Sequence, residues 1–252
     1  MALAVLAAAS GAAQAADSPF AGTWKMDVAK SHLVGDTVTY AKTATGFESS
    51  GGSITYKFAI DGKDYPMLAG RTAAWSQTTD GGWDVVYKAN GKVMTKLHRA
   101  ISADGKQMLS TYAEPRPDGS TVTEKDLYER VSGTSGLTGK WKNVKVDAVG
   151  DSMTIAVPTP GAFKIDNATY KQVVSRKTDG SSATVTGPTI PPGATATLKA
   201  AGPGKWDYAY LLKAKVFGQG VMAVSADGKT LTDTSWSPGK KAEKSVLVYA
   251  RQ

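Results

Sequence analysis

The sequence predicts an all-β chain folded as two tandem antiparallel up-and-down β-barrels, and three observations lead there. Thr, Val, Gly, Ala, Ser, Asp and Lys dominate a composition that is 41% hydrophobic, while Leu, Glu and Gln are scarce. That balance favours strands and tight turns over helices. Short runs alternate with turn dipeptides at a spacing of roughly 8–15 residues, as in a sandwich or barrel. Finally, "SADGK" stands at 102–106 and again at 225–229.

From the N-terminus, residues 1–16 read as a secretory signal peptide. A short apolar run ends in Ala13-Gln14-Ala15, an A-x-A cleavage pattern, and is too short to span a bilayer. No Lys or Arg precedes the run, which points to a start codon upstream or to an atypical signal. The mature protein is expected to be secreted or periplasmic. Cysteine is absent, so no disulfide framework supports the fold. No later stretch reaches the ~18 apolar residues of a membrane helix, so the chain is not expected to be transmembrane.

The two "SADGK" segments set a register that extends both ways. "WDVVY" (83–87) matches "WDYAY" (206–210), "DTVTY" (36–40) matches "DSMTI" (151–155), and "TYK" (55–57) matches "TYK" (169–171). "GTWK" (22–25) matches "GKWK" (139–142), and "YER" (128–130) matches "YAR" (249–251). A first barrel is therefore expected over 17–131 and a second over 139–252. The Gly/Ser-rich segment 132–138 is expected to link them. Strands in the first repeat are expected at 21–27, 36–43, 53–60, 64–68, 71–78, 82–89, 92–101, 107–113 and 121–131. Asn90-Gly91, Asp104-Gly105 and similar dipeptides supply the positive φ that hairpins need.

Period-two alternation places Trp83, Val85 and Tyr87 on one face, and Trp206, Tyr208 and Tyr210 on another. A Gly-x-Trp on the first strand and an Arg on the last occur twice: Gly22 and Trp24 with Arg130, and Gly139 and Trp141 with Arg251. This pattern resembles the signature of lipocalin-like (calycin) barrels. The resemblance implies that each arginine packs over the tryptophan of its own repeat and closes one end. The first repeat also resembles a bacterial family of exported lipocalin-like proteins of unsettled function. It carries that family's elements at Phe20 to Ser31, Asp61 to Pro66 and Ser102 to Lys106.

Candidate chemistry is sparse. One carboxylate per "SADGK" turn cannot supply the six or more oxygens calcium takes, so this segment reads as a hairpin turn. His32 and His98 are the only histidines and fall short of a zinc ligand set. No metal, cofactor or catalytic residue is expected. Arg99 is the notable side chain. If Val93, Thr95, Leu97 and Arg99 share the inward face of Trp83, a guanidinium stands in the cavity or at its rim, suited to a carboxylate. The alternative is a rim arginine paired with a surface acid. Its counterpart is Met222, so the two cavities should differ in polarity. Tyr65, Trp75, Trp83, Tyr87 and Arg99, with Trp206, Tyr208 and Tyr210, either line an apolar pocket or fill the barrels solid.

Residues 17–132 carry 14 Lys/Arg and 14 Asp/Glu, whereas 133–252 carry 16 and 8, so the second half holds the whole net charge of +8. The leading expectation is a non-catalytic, exported binding protein for a small apolar or amphiphilic molecule. The alternative is a structural or envelope-interaction module with filled barrels, its basic second domain docking weakly on anionic surfaces. A second alternative, implied by the resemblance, is an isomerase- or hydratase-like tandem calycin enzyme. Nucleic acid is not an expected partner, because the aromatics alternate inward rather than interleaving with exposed basic residues.

Overall fold

Glycine, asparagine and aspartate break the chain into short extended runs, and each run alternates between core and solvent. Trp83 and Val85 are buried while Asp84 between them is exposed. Asn90 and Gly91, with φ of 50° and 74°, then turn the chain into the next strand. A computed structural model describes residues 18–252 except 34, 52–53, 117, 160, 169–170, 189 and 243. The expected signal peptide, 1–16, lies outside the described residues.

The first repeat forms β1 (Gly22–Met26), β2 (Thr37–Thr43), β3 (Gly46–Gly51), β4 (Ile54–Phe58), β5 (Asp64–Pro66), β6 (Arg71–Gln77), β7 (Trp83–Ala89), β8 (Lys92–Ile101), β9 (Gln107–Pro115) and β10 (Thr121–Ser132). The second begins with β11 (Gly139–Asp147), β12 (Ser152–Ala156), β13 (Ala162–Asn167), β14 (Gln172–Lys177) and β15 (Asp179–Thr186). It ends with β16 (Ala194–Gly202), β17 (Lys205–Leu212), β18 (Lys215–Val224), β19 (Thr230–Trp236) and β20 (Ser245–Arg251). The protein is all-β, in two ten-stranded antiparallel barrel-like sheets, one closed and the other nearly so. Among the described residues no helix is long and apolar enough to cross a membrane.

The sheets do not follow the repeats. The closed barrel runs β1-β12-β13 and onward to β20, which returns to β1; the other sheet runs β4-β3-β2-β11-β10-β9-β8-β7-β6-β5. Each repeat thus gives its first strand to the other's barrel. Strand β1 pairs with β12 and β20, with Trp24 opposite Met153 and Arg251. Strand β11 pairs with β2 and β10, with Trp141 opposite Val38 and Arg130. The barrel built around β2–β11 is called the first barrel below, and the one built around β12–β20 with β1 the second.

Two expectations change as a result. Residues 133–138 of the expected linker are the loop of the β10–β11 hairpin inside one sheet, which opens with Ser132 opposite Lys140. The chain passes between barrels instead at 27–36 and at 148–151. The first passage runs along the second barrel, where Asp27 N donates to Val248 O and His32 bridges to Val246. It then reaches the first barrel, where Gly35 N donates to Asn143 O.

The Trp–Arg pairs are exchanged accordingly. Arg251 lies over Trp24, its guanidinium carbon 4.2 Å from the ring centre, and Arg130 lies over Trp141 at 4.0 Å. Both tryptophans are fully buried. Each indole N–H donates to the carbonyl four residues earlier, Phe20 at 2.8 Å and Leu137 at 2.9 Å. The "SADGK" turns complete these caps. Arg130 Nε donates to Gly105 O and Arg251 Nε to Gly228 O, both at 2.6 Å. The remaining donors of Arg130 reach Thr138 O and Gly136 O at 2.8 and 2.7 Å. The caps also explain the glycines of the motif. A Cβ on Gly22, at φ +136°, would stand 2.6 Å from Arg251 Nη1, and one on Gly139 would stand 2.1 Å from Ser132 O.

Three local details differ from expectation. Strand β3 was not expected, because Gly46 to Gly51 is rich in Gly and Ser and has low strand propensity. A bulge opposite Tyr87 and Lys88 rotates Val93 out of the inward row, leaving it exposed. The "TYK" match also fails, since Thr55 to Lys57 lie in β4 whereas Lys171 sits in a turn before β14.

Candidate functional site

The first barrel holds a pocket of about 300 Å³ that opens to its outside. Val38, Ile54, Met67 and Met94 give it apolar walls, and Tyr40, Tyr56, Tyr87, Arg71 and Arg99 add polar groups. Strand pairing positions Arg99. Trp83 stands opposite it on β7, Ser110 opposite on β9, and Asp126 continues the row on β10. The arginine is only 5% exposed. Its Nη1 donates to the Tyr40 hydroxyl and lies 3.8 Å from Met108 Sδ. The guanidinium carbon is 5.4, 5.7 and 5.9 Å from the rings of Tyr40, Trp75 and Tyr128, which hold the cation by its attraction to their π faces.

Arg99 lacks a counter-charge in contact. Among the described residues it makes no ion pair, and its buried Nε has no hydrogen-bond partner. The nearest inward acid, Asp126, accepts from the Tyr128 hydroxyl at 3.3 Å and does not line the cavity. Burial pushes the Asp126 carboxyl above its ordinary range, against the pull of Tyr112, Tyr128 and Arg99. Burial likewise raises the phenols of Tyr40, Tyr56 and Tyr128, which keeps them neutral. An unpaired buried guanidinium is costly, and an anion entering the cavity would offset that cost.

The second barrel encloses about 160 Å³, lined in part by Arg176, Tyr208, Tyr210, Met222 and Asp233. Met222 does stand opposite Trp206, as Arg99 stands opposite Trp83. The expected difference in polarity does not follow from this exchange, because Arg176 enters from β14 and is 4% exposed. Its Nη1 donates to Thr197 O at 3.0 Å, while Nε and Nη2 have no hydrogen-bond partner among the described residues. The row Trp83–Arg99–Ser110–Asp126 becomes Trp206–Met222–Asp233–Leu247. Each barrel therefore buries one arginine and turns one half-buried acid inward, at non-equivalent positions.

Asp233 accepts from the Tyr208 hydroxyl at 2.7 Å, yet burial dominates and pushes its carboxyl up to about 6. The folded state thus binds a proton that the unfolded chain has already released between its ordinary 3.8 and about 6. Stability from this group is present at the acid end and lost as pH rises through about 6. Asp233→Asn should accordingly gain on the wild type by about 2–3 kcal/mol between pH 4 and pH 7.5. Urea unfolding at the two pH values checks this; an equal difference at both would remove Asp233 from the account.

Of the expected site residues, Tyr87 and Arg99 meet in the first cavity and Tyr208 and Tyr210 in the second. Trp75, Trp83 and Trp206 are packed into the cores instead. Trp75 stacks on Phe58 at 4.3 Å and Trp206 on Phe20 at 3.3 Å. Tyr65 lies outside the cavity, its hydroxyl donating to Asp61 at 3.0 Å. His98 faces outward, 2.8 Å from Asp84 and 3.2 Å from Asp80. Tyr40, Tyr56, Arg71, Arg176 and Asp233 were not expected. Arg176 and Asp233 were legible, since each follows a buried residue (Val174, Leu231) at a spacing of two.

The basic excess is also redistributed. Lys140, Lys142 and Lys145 lie on β11 and so belong to the first barrel, not the second. No family model, curated protein or solved structure matches the chain.

Proposed function

We propose that the protein is an exported, non-catalytic binding protein for a small amphiphile whose anionic headgroup meets Arg99 inside the first barrel. The observation that carries this reading is a buried arginine with no ion-pair partner among the described residues, lining a pocket of about 300 Å³ whose other walls are mostly aromatic and aliphatic, with Ser49, Thr95 and a second arginine, Arg71, among them. A carboxylate accepts two parallel bonds from a guanidinium, and such bonds strengthen beside a side chain as buried as Arg99. The apolar N-terminal run ending in Ala13-Gln14-Ala15 supports action outside the cytoplasm.

Arg99→Met is the decisive variant, because Met222 shows that methionine fits the equivalent place opposite a tryptophan. Titration calorimetry with decanoate should show at least a tenfold loss of affinity. Urea unfolding of the unliganded variant should show a gain of about 1–2 kcal/mol, since replacing a buried charge by a well-packed apolar chain is neutral to stabilising. Unchanged affinity together with lost stability would make Arg99 a structural residue and end this reading.

A further inference from the structure

We infer that the tail of this ligand leaves the first barrel and lies in an apolar cleft between the two barrels, so that long-chain anionic amphiphiles are selected over short ones. The inference rests on the reading of Arg99 as the headgroup site. The cleft measures about 270 Å³. Ile54 and Leu68 form its wall on the first barrel, and Val174, Val185, Ile190 and Phe217 form its wall on the second.

Three observations join it to the Arg99 cavity. Ile54 and Arg71 line both spaces, so the two adjoin. Their border is the one seam where the first sheet fails to close, between its end strands β4 and β5. Ile54 stands on β4, while Leu68 lies in the turn between β5 and β6 and Arg71 opens β6. Leu68, an apolar side chain, is 42% exposed at this seam. A tail would cover it.

The headgroup belongs at Arg99 rather than Arg71, because the less buried Arg71 has access to water while Arg99 has almost none. The cleft exists only while the barrels stay side by side. Reciprocal strand exchange fixes that relation, and Asn90 Nδ2 donates across to Ile190 O at 3.3 Å. The exchange therefore provides a binding compartment that neither barrel has alone.

Titration of the full chain with hexanoate, decanoate and hexadecanoate tests this. Affinity should climb through the series, by about fourfold for each methylene taken out of water. Leu68→Glu puts a charge into the cleft and Thr195→Trp fills it. Each should weaken hexadecanoate at least tenfold and leave hexanoate unchanged. An affinity that stops rising beyond hexanoate, or hexadecanoate binding indifferent to both variants, overturns the cleft while the Arg99 site stands. Loss of binding at every chain length in the wild type, or binding indifferent to Arg99→Met, overturns the headgroup site itself.

Discussion

Trp24→Ala is expected to loosen the second barrel, although Trp24 belongs to the first repeat. The indole is fully buried among Phe20, Ile155, Trp206 and Leu231, all part of the second barrel's core. Truncating a buried tryptophan costs about 3–5 kcal/mol. The stacked Arg251 also loses the ring beneath it, a contact of roughly 0.5–2 kcal/mol. Amide exchange measured by mass spectrometry should accelerate roughly a hundredfold or more across β12–β20, with β2–β10 less affected. Trp141→Ala should give the mirror image, loosening β2–β10 first. If Trp24→Ala loosened β2–β10 and spared β12–β20, each repeat would close on itself and the exchanged pairing would be wrong.

The exchange is illegible in the sequence for a physical reason. Both repeats supply a strand of the form Gly-x-Trp, and both barrels offer it an arginine, a glycine turn and an apolar layer. Trp24 meets equivalent partners in either barrel, so no residue pattern distinguishes a self-closed barrel from an exchanged one. The length of the connections decides. Residues 133–138 turn tightly enough to keep β11 beside β10, while the ten-residue passage 27–36 is long enough to carry the chain from one barrel to the other.

The barrel architecture and Arg99 were legible, because alternation survives wherever strands pair without bulges. Trp83 projects Arg99 inward through a regular register, and the bulge that expels Val93 falls beyond it. Arg176 and Asp233 escaped because the second cavity was read only at positions equivalent to the first. Both are inward by period two, yet each replaces an uncharged residue of the other repeat. Asp233 stands where Ser110 stands, and Arg176 stands where Phe58 does, opposite Phe163 as Phe58 is opposite Phe47. In both barrels the buried guanidinium sits over at least one aromatic ring. Arg176 is 5.1 Å from the Tyr210 ring, much as Arg99 is from Tyr40.

A protease site inserted between Thr134 and Ser135, followed by cleavage, is expected to leave the two halves bound as one particle. Thr134 and Ser135 are exposed and lie outside every strand. The N-terminal half would still hold β1 inside the second barrel, and the C-terminal half would hold β11 inside the first. Separation would strip a fully buried tryptophan from each core and unpair each exchanged strand from neighbours on both sides. Two such losses, each about 3–5 kcal/mol for the tryptophan alone, correspond to roughly micromolar affinity, to which the pairing of each exchanged strand on both sides adds. Size-exclusion chromatography should therefore return a single peak at the mass of the intact chain. Unfolding of the nicked protein should become concentration-dependent, because its folded state is now bimolecular. Two independent barrels on a flexible linker would instead part into half-mass particles with unchanged unfolding. Such a result would remove the rigid relation between the barrels, and with it the preformed cleft that the long-chain ligand requires.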